Sequence, residues 1–113
     1  MGLFDMFRRG GANGSDEIAH DELTAALRAK SCALIDVREP HEYSAGQAPG
    51  AVNMPLSSFD PARLPKDKPL VLICQAGGRS AKALARARAA GVANVRHYLP
   101  GTGGWARAGG ELI

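Results

Sequence analysis

Short apolar runs alternate along this chain with segments whose composition is typical of helices. The clearest run, Leu-Val-Leu-Ile at residues 70–73, contains no polar residue, as is usual for a buried parallel strand. After a short loop comes an alanine-rich segment that ends at Gly91, which predicts a helix. Strands that alternate with helices favour an α/β domain with a small, mostly parallel sheet and helices on both faces. The pattern predicts strands over residues 33–37, 51–54, 70–73 and 95–99 and helices over 21–30, 39–45, 79–90 and 103–108.

The chain divides into a short tail and one domain. Its 113 residues correspond to a single small domain, and 45% apolar with 22% charged residues excludes a disordered chain. Residues 10–15, Gly-Gly-Ala-Asn-Gly-Ser, have the composition of a flexible linker. We therefore expect a flexible N-terminal tail at residues 1–15 and a folded domain at residues 16–113.

The sequence predicts a cytoplasmic protein without an integral membrane segment. Its longest apolar stretch, residues 70–74, is far shorter than the roughly 20 residues that a membrane-spanning helix needs. The arginines near the N-terminus follow the apolar residues, which is the wrong order for a secretory signal. Two cysteines cannot build a disulfide framework, so we expect reduced thiols.

Charge is distributed unevenly along the chain. Between residues 68 and 110 there are seven positive side chains and no negative one, although the net charge is only +3. This predicts a positive field over the second half of the chain, which would attract small anions; the alternative is a solvated helix face. The basic residues are not interleaved with aromatic residues that could stack on bases, so nucleic acid is not an expected partner.

The loop after residues 70–73 carries the strongest chemical signal, since sites in parallel sheets form at the carboxyl ends of strands. Gly77 and Gly78 allow the positive φ values of a concave nest of N–H groups, and Arg79 and the following helix N-terminus add positive charge. These features stabilise a thiolate, so the pKa of Cys74 should lie below the roughly 8.5 of a free cysteine. Cys74 is therefore the candidate nucleophile, and the alternative is a small buried side chain before a tight turn. The loop reads Cys74-Gln75-Ala76-Gly77-Gly78-Arg79-Ser80.

Four segments together resemble the single-domain rhodanese family of sulfurtransferases. They are Leu-Ile-Asp-Val-Arg-Glu-Pro at 34–40 with Glu42-Tyr43, Gly-Gln-Ala-Pro-Gly-Ala-Val-Asn-Met-Pro at 46–55, the loop at 74–80, and Gly-Thr-Gly-Gly-Trp at 101–105. The resemblance covers roughly residues 16–110 in order and implies a rhodanese-like fold. Gln47 stands where the family usually has histidine, which leaves the role of that histidine unfilled. Pro100 stands where the first glycine of the closing pair is usual, which affects local backbone geometry.

The resemblance implies double-displacement sulfur transfer without a cofactor. The Cys74 thiolate would attack the outer sulfur of thiosulfate or another small anionic donor, releasing sulfite and leaving a cysteine persulfide. A thiophilic acceptor, cyanide in the assay or a thiol in the cell, would then remove that sulfur. Arg79 would hold the sulfonate end of the donor, and Ser80 would act as a helix-start hydroxyl rather than a catalytic group. The expected substrate-binding residues are Gln75, Ala76, Gly77, Gly78, Arg79 and Ser80, and the backbone N–H groups from Gln75 to Arg79 would stabilise the anionic sulfur.

Other polar residues are given structural roles. Asp36 and Arg38 follow a predicted strand and could form an ion pair near the site; we favour orientation of loops over catalysis as its role. Cys32 precedes a strand and is expected to be a neutral thiol, and the sequence does not show whether it lies within the roughly 7 Å that a disulfide to Cys74 requires. Trp105 is expected to anchor the last helix. The histidines lack the spacing of metal ligands, so no metal site is expected: His20, His41 and His97.

Three other functions compete with a free-standing transferase. Phosphatases and arsenate reductases resemble Cys-x5-Arg, whereas Cys74 and Arg79 have only four residues between them, a shorter loop that fits a single sulfur atom better. Noncatalytic rhodanese-like binding modules commonly lack the cysteine that this chain retains. A persulfide carrier that delivers sulfur to an accepting protein is not separated from a transferase by the sequence, and neither thiosulfate nor mercaptopyruvate is selected as donor.

Overall fold

The four strands in residues 16–113, the part of the chain that the computed structural model describes, form one parallel sheet. The strands are β1 (Ala33–Asp36), β2 (Val52–Asn53), β3 (Leu70–Ile73) and β4 (Val95–His97), and their order in the sheet is β2-β1-β3-β4. The helices are α1 (His20–Ala29), α2 (Pro40–Ala45), α3 (Gly78–Ala89) and α4 (Gly101–Arg107), with 3-10 turns at Leu56–Ser58 and Pro61–Arg63. The predicted tail at residues 1–15 lies outside the described residues.

Alternate residues of the central strand β3 enter two separate hydrophobic cores. Leu70 and Leu72 pack in one core against α3, together with residues of β1 and β4. Val71 and Ile73 point to the opposite face and pack in a second core with α1 and α4. Because all four β3 residues are buried, the continuous apolar run is explained, and the predicted sheet with helices on both faces is confirmed.

The structure places the predicted elements close to their expected positions but changes several boundaries. Strand β2 has only two residues instead of four because it is an edge strand that pairs with β1 alone, through Val52 and Asn53. Helix α4 begins at Gly101 rather than at residue 103, with Pro100 as its N-cap. The two 3-10 turns were not predicted, although Asp60 before a proline is a recognisable cap; its carboxylate accepts the N–H of Ala62 at 3.0 Å.

The positive charge predicted for the second half of the chain is reduced by pairing with the first half. Three of the seven basic side chains in residues 68–110 bind carboxylates from residues 16–42. The parallel topology brings the two halves of the chain side by side, so acidic and basic segments that are distant in sequence become neighbours. The pairs are Arg79 with Glu42, Arg88 with Asp16, and Arg96 with Glu22.

The two cysteines lie at opposite ends of the parallel strands. Cys32 precedes β1 and Cys74 follows β3, and the register pairs Ala33 with Leu70. Cys74 is thus five residues further along the strand direction than Cys32, roughly 16 Å at about 3.3 Å per residue. This separation rules out a disulfide without rearrangement. Burial raises the pKa of Cys32 despite the nearby charges of Lys68 and Arg96, in agreement with the expected neutral thiol.

Candidate active site

Cys74 lies at the base of the loop between β3 and α3, where backbone N–H groups point at its sulfur. The Gly77 N–H donates to Cys74 Sγ at 3.1 Å, and the Ser80 N–H donates at 3.3 Å. The Ser80 hydroxyl oxygen lies 3.6 Å from the same sulfur. Cys74 is only 1% exposed, so the sulfur is enclosed by the loop and by the first turn of α3. Such convergent donors form a site for an anionic sulfur.

These donors explain the acidity of Cys74. Burial opposes ionisation of the thiol, but the Ser80 hydroxyl and the N–H groups of Ser80, Ala76 and Gly77 together outweigh it, so the pKa is lowered. The direction agrees with the sequence-based expectation. The principal donors are, however, the loop backbone and the Ser80 hydroxyl rather than the Arg79 guanidinium.

Only one of the two loop glycines has the conformation predicted for both. Gly77, the N-cap of α3, has φ +97°, and a Cβ there would lie 2.5 Å from the Leu99 carbonyl oxygen. Gly78 is the first residue of α3, does not have a positive φ, and has space around its Cα. The nest therefore depends on the positive φ of Gly77, whereas the positive φ that glycine allows at position 78 is not used, because the helix already begins there.

Helix α4 holds the loop from the other side. The Thr102 N–H donates to the Cys74 carbonyl at 2.8 Å, and the Gly103 N–H donates to the Gln75 carbonyl at 3.1 Å. The Thr102 hydroxyl also donates to the Gln75 side-chain oxygen at 2.9 Å. Gly101 has φ +69°, and a Cβ there would overlap the Gln75 carbonyl. The glycine-rich segment before Trp105 is therefore required for the close approach of α4 to the active loop.

Arg79 is held by a carboxylate from α2. Its guanidinium donates to both Glu42 oxygens, at 2.6 and 2.9 Å, and the pair is partly exposed. The hydrogen bond from Arg79 lowers the pKa of Glu42 to about 2, although burial opposes it. Glu42 also accepts the Glu39 N–H at 2.9 Å and so closes the capping box of α2. The sequence did not pair these two side chains, and contact of Arg79 with a donor stays a prediction.

The predicted ion pair between Asp36 and Arg38 is present and buried. The Arg38 guanidinium donates to Asp36 Oδ2 at 2.7 Å, and the Arg38 N–H donates to Oδ1 at 3.0 Å. Arg38 also donates to the Gly46 carbonyl at 2.8 Å. The Asn53 amide donates to the Asp36 and Arg38 carbonyls, both at 2.9 Å. The pair joins the end of β1 to the residue that follows α2, and Asn53 of β2 binds the backbone beside it, which supports an orienting role rather than a catalytic one.

His97 is a buried residue near the site that the sequence analysis did not assign. It belongs to β4, is 4% exposed, and its Nδ1 lies 2.9 Å from the Ser80 hydroxyl oxygen. Burial is the main reason that its pKa is lowered. Alternation along β4 places His97 on the same face as Val95, which packs towards α3. The alternation of side chains along β4 was the available signal for the face that His97 occupies, but a strand of three residues does not identify Ser80 as its partner.

Comparison with known proteins agrees with this arrangement. The family model of the rhodanese-like domain matches residues 19–108 of the chain. The chain belongs to the rhodanese-like domain family. A crystal structure of a rhodanese-related protein from Thermoplasma volcanium superposes on this rhodanese domain with a TM-score of 0.78 and 27% identity, covering 87% of this chain and 97% of the other.

Sequence relatives include proteins named as sulfurtransferases. The human thiosulfate:glutathione sulfurtransferase is 33% identical over 101 residues, covering 75% of this chain and 88% of the human protein. An uncharacterized Synechocystis protein, slr1261, is 41% identical over 78 residues. That alignment covers 67% of this chain, which spans only 44% of the Synechocystis protein. The human relative thus carries the name of a sulfurtransferase, and the Synechocystis relative is uncharacterized.

The structure shows the surroundings of the two departures from the family pattern in this rhodanese domain. Gln47 exchanges backbone hydrogen bonds with Ile113, at 3.0 and 2.8 Å, and so ties the C-terminal segment beside α2. Pro100 precedes Gly101, which supplies the left-handed conformation at the start of α4. Trp105 is 6% exposed, and its indole N–H donates to the Glu111 carbonyl at 2.8 Å, so its predicted anchoring role is confirmed.

Neither a metal cluster nor a membrane helix is found in the described part of the rhodanese domain. Within residues 16–113, no three His, Cys, Asp or Glu side chains are grouped so that they could hold a metal ion. No helix in that range is long and apolar enough to cross a bilayer.

Proposed function

We propose that this rhodanese domain moves a sulfane sulfur from thiosulfate, or a similar small anionic donor, to a thiol or cyanide through a persulfide on Cys74. The observation that carries the proposal is the sulfur of Cys74 with two backbone N–H donors at 3.1 and 3.3 Å. These donors stabilise the thiolate before the reaction, and thiolate is the nucleophilic form of cysteine.

In the first step, the Cys74 thiolate attacks the outer sulfur of thiosulfate. A new sulfur–sulfur bond forms, the sulfur–sulfur bond of the donor breaks, and its electron pair leaves with sulfite. The outer sulfur of the resulting persulfide carries the negative charge. We expect loop N–H groups between residues 75 and 79 to stabilise that charge, and the step requires no oxidant.

In the second step, a thiolate or cyanide attacks the outer sulfur of the persulfide. The bond to Cys74 breaks, and its electrons return to Sγ as the thiolate. The Gly77 and Ser80 N–H groups that face Sγ stabilise this leaving group as they stabilised the nucleophile. The same donors therefore serve both half-reactions.

The loop geometry favours sulfur over phosphate as the transferred group. Four residues separate Cys74 and Arg79, and the N–H groups already lie at hydrogen-bond distance from the cysteine sulfur itself. A donor that presents one terminal sulfur atom fits this enclosed base better than a phosphate ester does.

The test is an intact-mass measurement under non-reducing conditions after incubation with thiosulfate. We expect one added sulfur atom on the wild type and on Cys32→Ser, and none on Cys74→Ser, because a serine hydroxyl is not ionised at neutral pH. Cys32→Ser is the matched control since both changes replace sulfur with oxygen. The nucleophile assignment fails if Cys74→Ser still takes up sulfur at the normal rate, or if Cys32→Ser does not.

The same protein should be assayed for turnover with thiosulfate, mercaptopyruvate and a phosphate ester. Sulfur transfer from at least one donor, with cyanide or a thiol as acceptor, is the expected result. Hydrolysis of the phosphate ester without any sulfur transfer would contradict the proposal.

A further inference from the structure

Three side chains form a continuous chain of contacts from the sulfur into the core. The Ser80 hydroxyl oxygen lies 3.6 Å from Cys74 Sγ and 2.9 Å from His97 Nδ1. Ser80 is fully buried and His97 is 4% exposed. The reaction described above makes no direct use of His97. A buried imidazole with one ring nitrogen at hydrogen-bond distance from a group that touches the nucleophile therefore needs an explanation.

The number of protons available to Ser80 limits what this arrangement can do. A serine hydroxyl has one proton to donate, and three groups surround it: Cys74 Sγ, His97 Nδ1 and the Gly77 carbonyl at 3.2 Å. The carbonyl and a thiolate can only accept. If Nδ1 also accepts, it competes for the single proton at the shortest distance. The hydroxyl then presents a lone pair to the thiolate, which is unfavourable.

If Nδ1 carries the proton, the strongest competitor is removed. The imidazole then donates to the Ser80 oxygen, and only the Gly77 carbonyl and the Cys74 sulfur remain as acceptors of the hydroxyl proton, of which the thiolate is the charged one. The two tautomers of His97 thus favour different ionisation states of Cys74. Hydrogen bonds to the charged form of a group lower the pKa of an acid, so the Nδ1–H tautomer favours the thiolate.

We propose that His97 is a positioning residue for the nucleophile: its Nδ1–H donates to Ser80 and thereby directs the Ser80 hydroxyl to the Cys74 thiolate. What the thiolate then does rests on the proposed function, but its ionisation does not. The charged groups that act on the imidazole are the carboxylates of Asp16 and Glu17 and the guanidinium of Arg88. Burial, the largest influence, lowers the pKa of His97, so the neutral imidazole is the relevant form at neutral pH.

The test measures ionisation of Cys74 in a Cys32→Ser background, without any sulfur donor. Thiolate absorbance in the ultraviolet and the rate of alkylation by iodoacetamide are followed against pH. His97→Leu removes the Nδ1–H donor and should raise the midpoint of Cys74 ionisation by about one pH unit. Below the midpoint, this is a roughly tenfold loss of thiolate. His97→Asn places an amide N–H near the position of Nδ1 and should keep most of the wild-type titration.

A double-mutant cycle shows whether the effect passes through Ser80. Ser80→Ala should raise the midpoint by itself, and His97→Leu should add nothing in the Ser80→Ala background. The proposal is overturned if His97→Leu titrates like the wild type, or if its shift persists without the Ser80 hydroxyl. A loss of thermal stability shared by His97→Leu and His97→Asn, with unchanged titration, would also overturn it. That outcome would show a role in packing alone.

A second variant of His97 and the absence of a sulfur donor keep the result of the titration interpretable. If His97→Leu does not fold, His97→Gln serves instead, because its longer side chain carries the amide to the position of Nε2 rather than Nδ1. Because no donor is used, the titration is independent of sulfur transfer. A shift in His97→Leu supports the positioning role even if intact-mass measurements show no persulfide, and an unchanged titration refutes it even if sulfur is transferred.

Discussion

Replacement of Gly77 by alanine should destabilise the domain and weaken the active-site thiolate together. Gly77 has φ +97°, and an added Cβ would lie 2.5 Å from the Leu99 carbonyl oxygen and 2.8 Å from Leu99 Cδ1. The side-chain methyl group can move, but the carbonyl belongs to the segment between β4 and α4. The strain therefore reaches the backbone that supports the loop.

The size of the effect follows from two costs. A left-handed conformation costs a non-glycine residue roughly 1–2 kcal/mol. Displacement of the Leu99 backbone adds to this cost, so we expect a loss of about 2 kcal/mol or more in the free energy of unfolding. For a domain of about 100 residues, 1 kcal/mol corresponds to roughly 4–8 °C. The Tm of Gly77→Ala should thus fall by about 8 °C or more.

The neighbouring glycine supplies a matched control. Gly78 has no positive φ, and nothing lies within 4 Å of a Cβ added there. Alanine at this first position of α3 should raise stability by up to about 0.5–1 kcal/mol, because alanine is the better helix former. Circular dichroism during thermal and urea unfolding measures both variants. If Gly77→Ala melts no lower than Gly78→Ala, the conformational argument for the nest is wrong.

The ionisation of Cys74 should also differ between Gly77→Ala and Gly78→Ala. The Gly77 N–H donates to Cys74 Sγ at 3.1 Å, and displacement of that donor should raise the midpoint of thiolate formation. Alkylation of Cys74 against pH measures this midpoint in a Cys32→Ser background. Gly78→Ala should leave the midpoint close to that of the wild type.

Two further predictions concern the pair between Arg79 and Glu42. The folded-state pKa of Glu42 is lowered to about 2, so the stability that its carboxylate contributes is complete above the ordinary value near 4.5 and is lost as the pH falls towards 2. In urea unfolding, Glu42→Gln should be less stable than the wild type at pH 7 and closer to it at pH 3. An equal difference in stability at both pH values would contradict the assignment. If Arg79 also binds the sulfonate of the donor, Arg79→Ala should raise the KM for thiosulfate about tenfold, near 1.5 kcal/mol for a charge-assisted hydrogen bond. Glu42→Gln should lower the KM because it removes the competing carboxylate, and steady-state kinetics in which neither variant changes the KM would show that Arg79 serves only the structure.

Local patterns in the sequence were sufficient to predict where the active loop lies relative to the sheet. The apolar strand β3, the cysteine after it and the alanine-rich helix α3 are continuous in sequence, so their order fixes where Cys74 lies relative to the sheet. Burial of all four β3 residues follows from their composition. The resemblance to rhodaneses added the glycine-rich segment at residues 101–105, whose N–H groups support the loop.

Contacts between distant segments could not be predicted in the same way. Glu42 and Arg79 are 37 residues apart, and Ser80 and His97 are 17 apart. Each pair forms only because parallel crossovers bring separate helices and strands to the same end of the sheet. The sequence also did not show which of Gly77 and Gly78 adopts a positive φ, since a glycine pair does not reveal which member precedes the first helical turn.

The support that α4 gives to the loop has a consequence for synthesis of the protein. A nascent chain that extends only to residue 100 contains Cys74 and all of α3, but not the Thr102 and Gly103 N–H groups that hold the Cys74 and Gln75 carbonyls. The ribosome adds residues one at a time, so the loop stays without this support until the closing helix has emerged. The loop around Cys74 therefore reaches its final geometry late in synthesis, after residues 102 and 103 have been added.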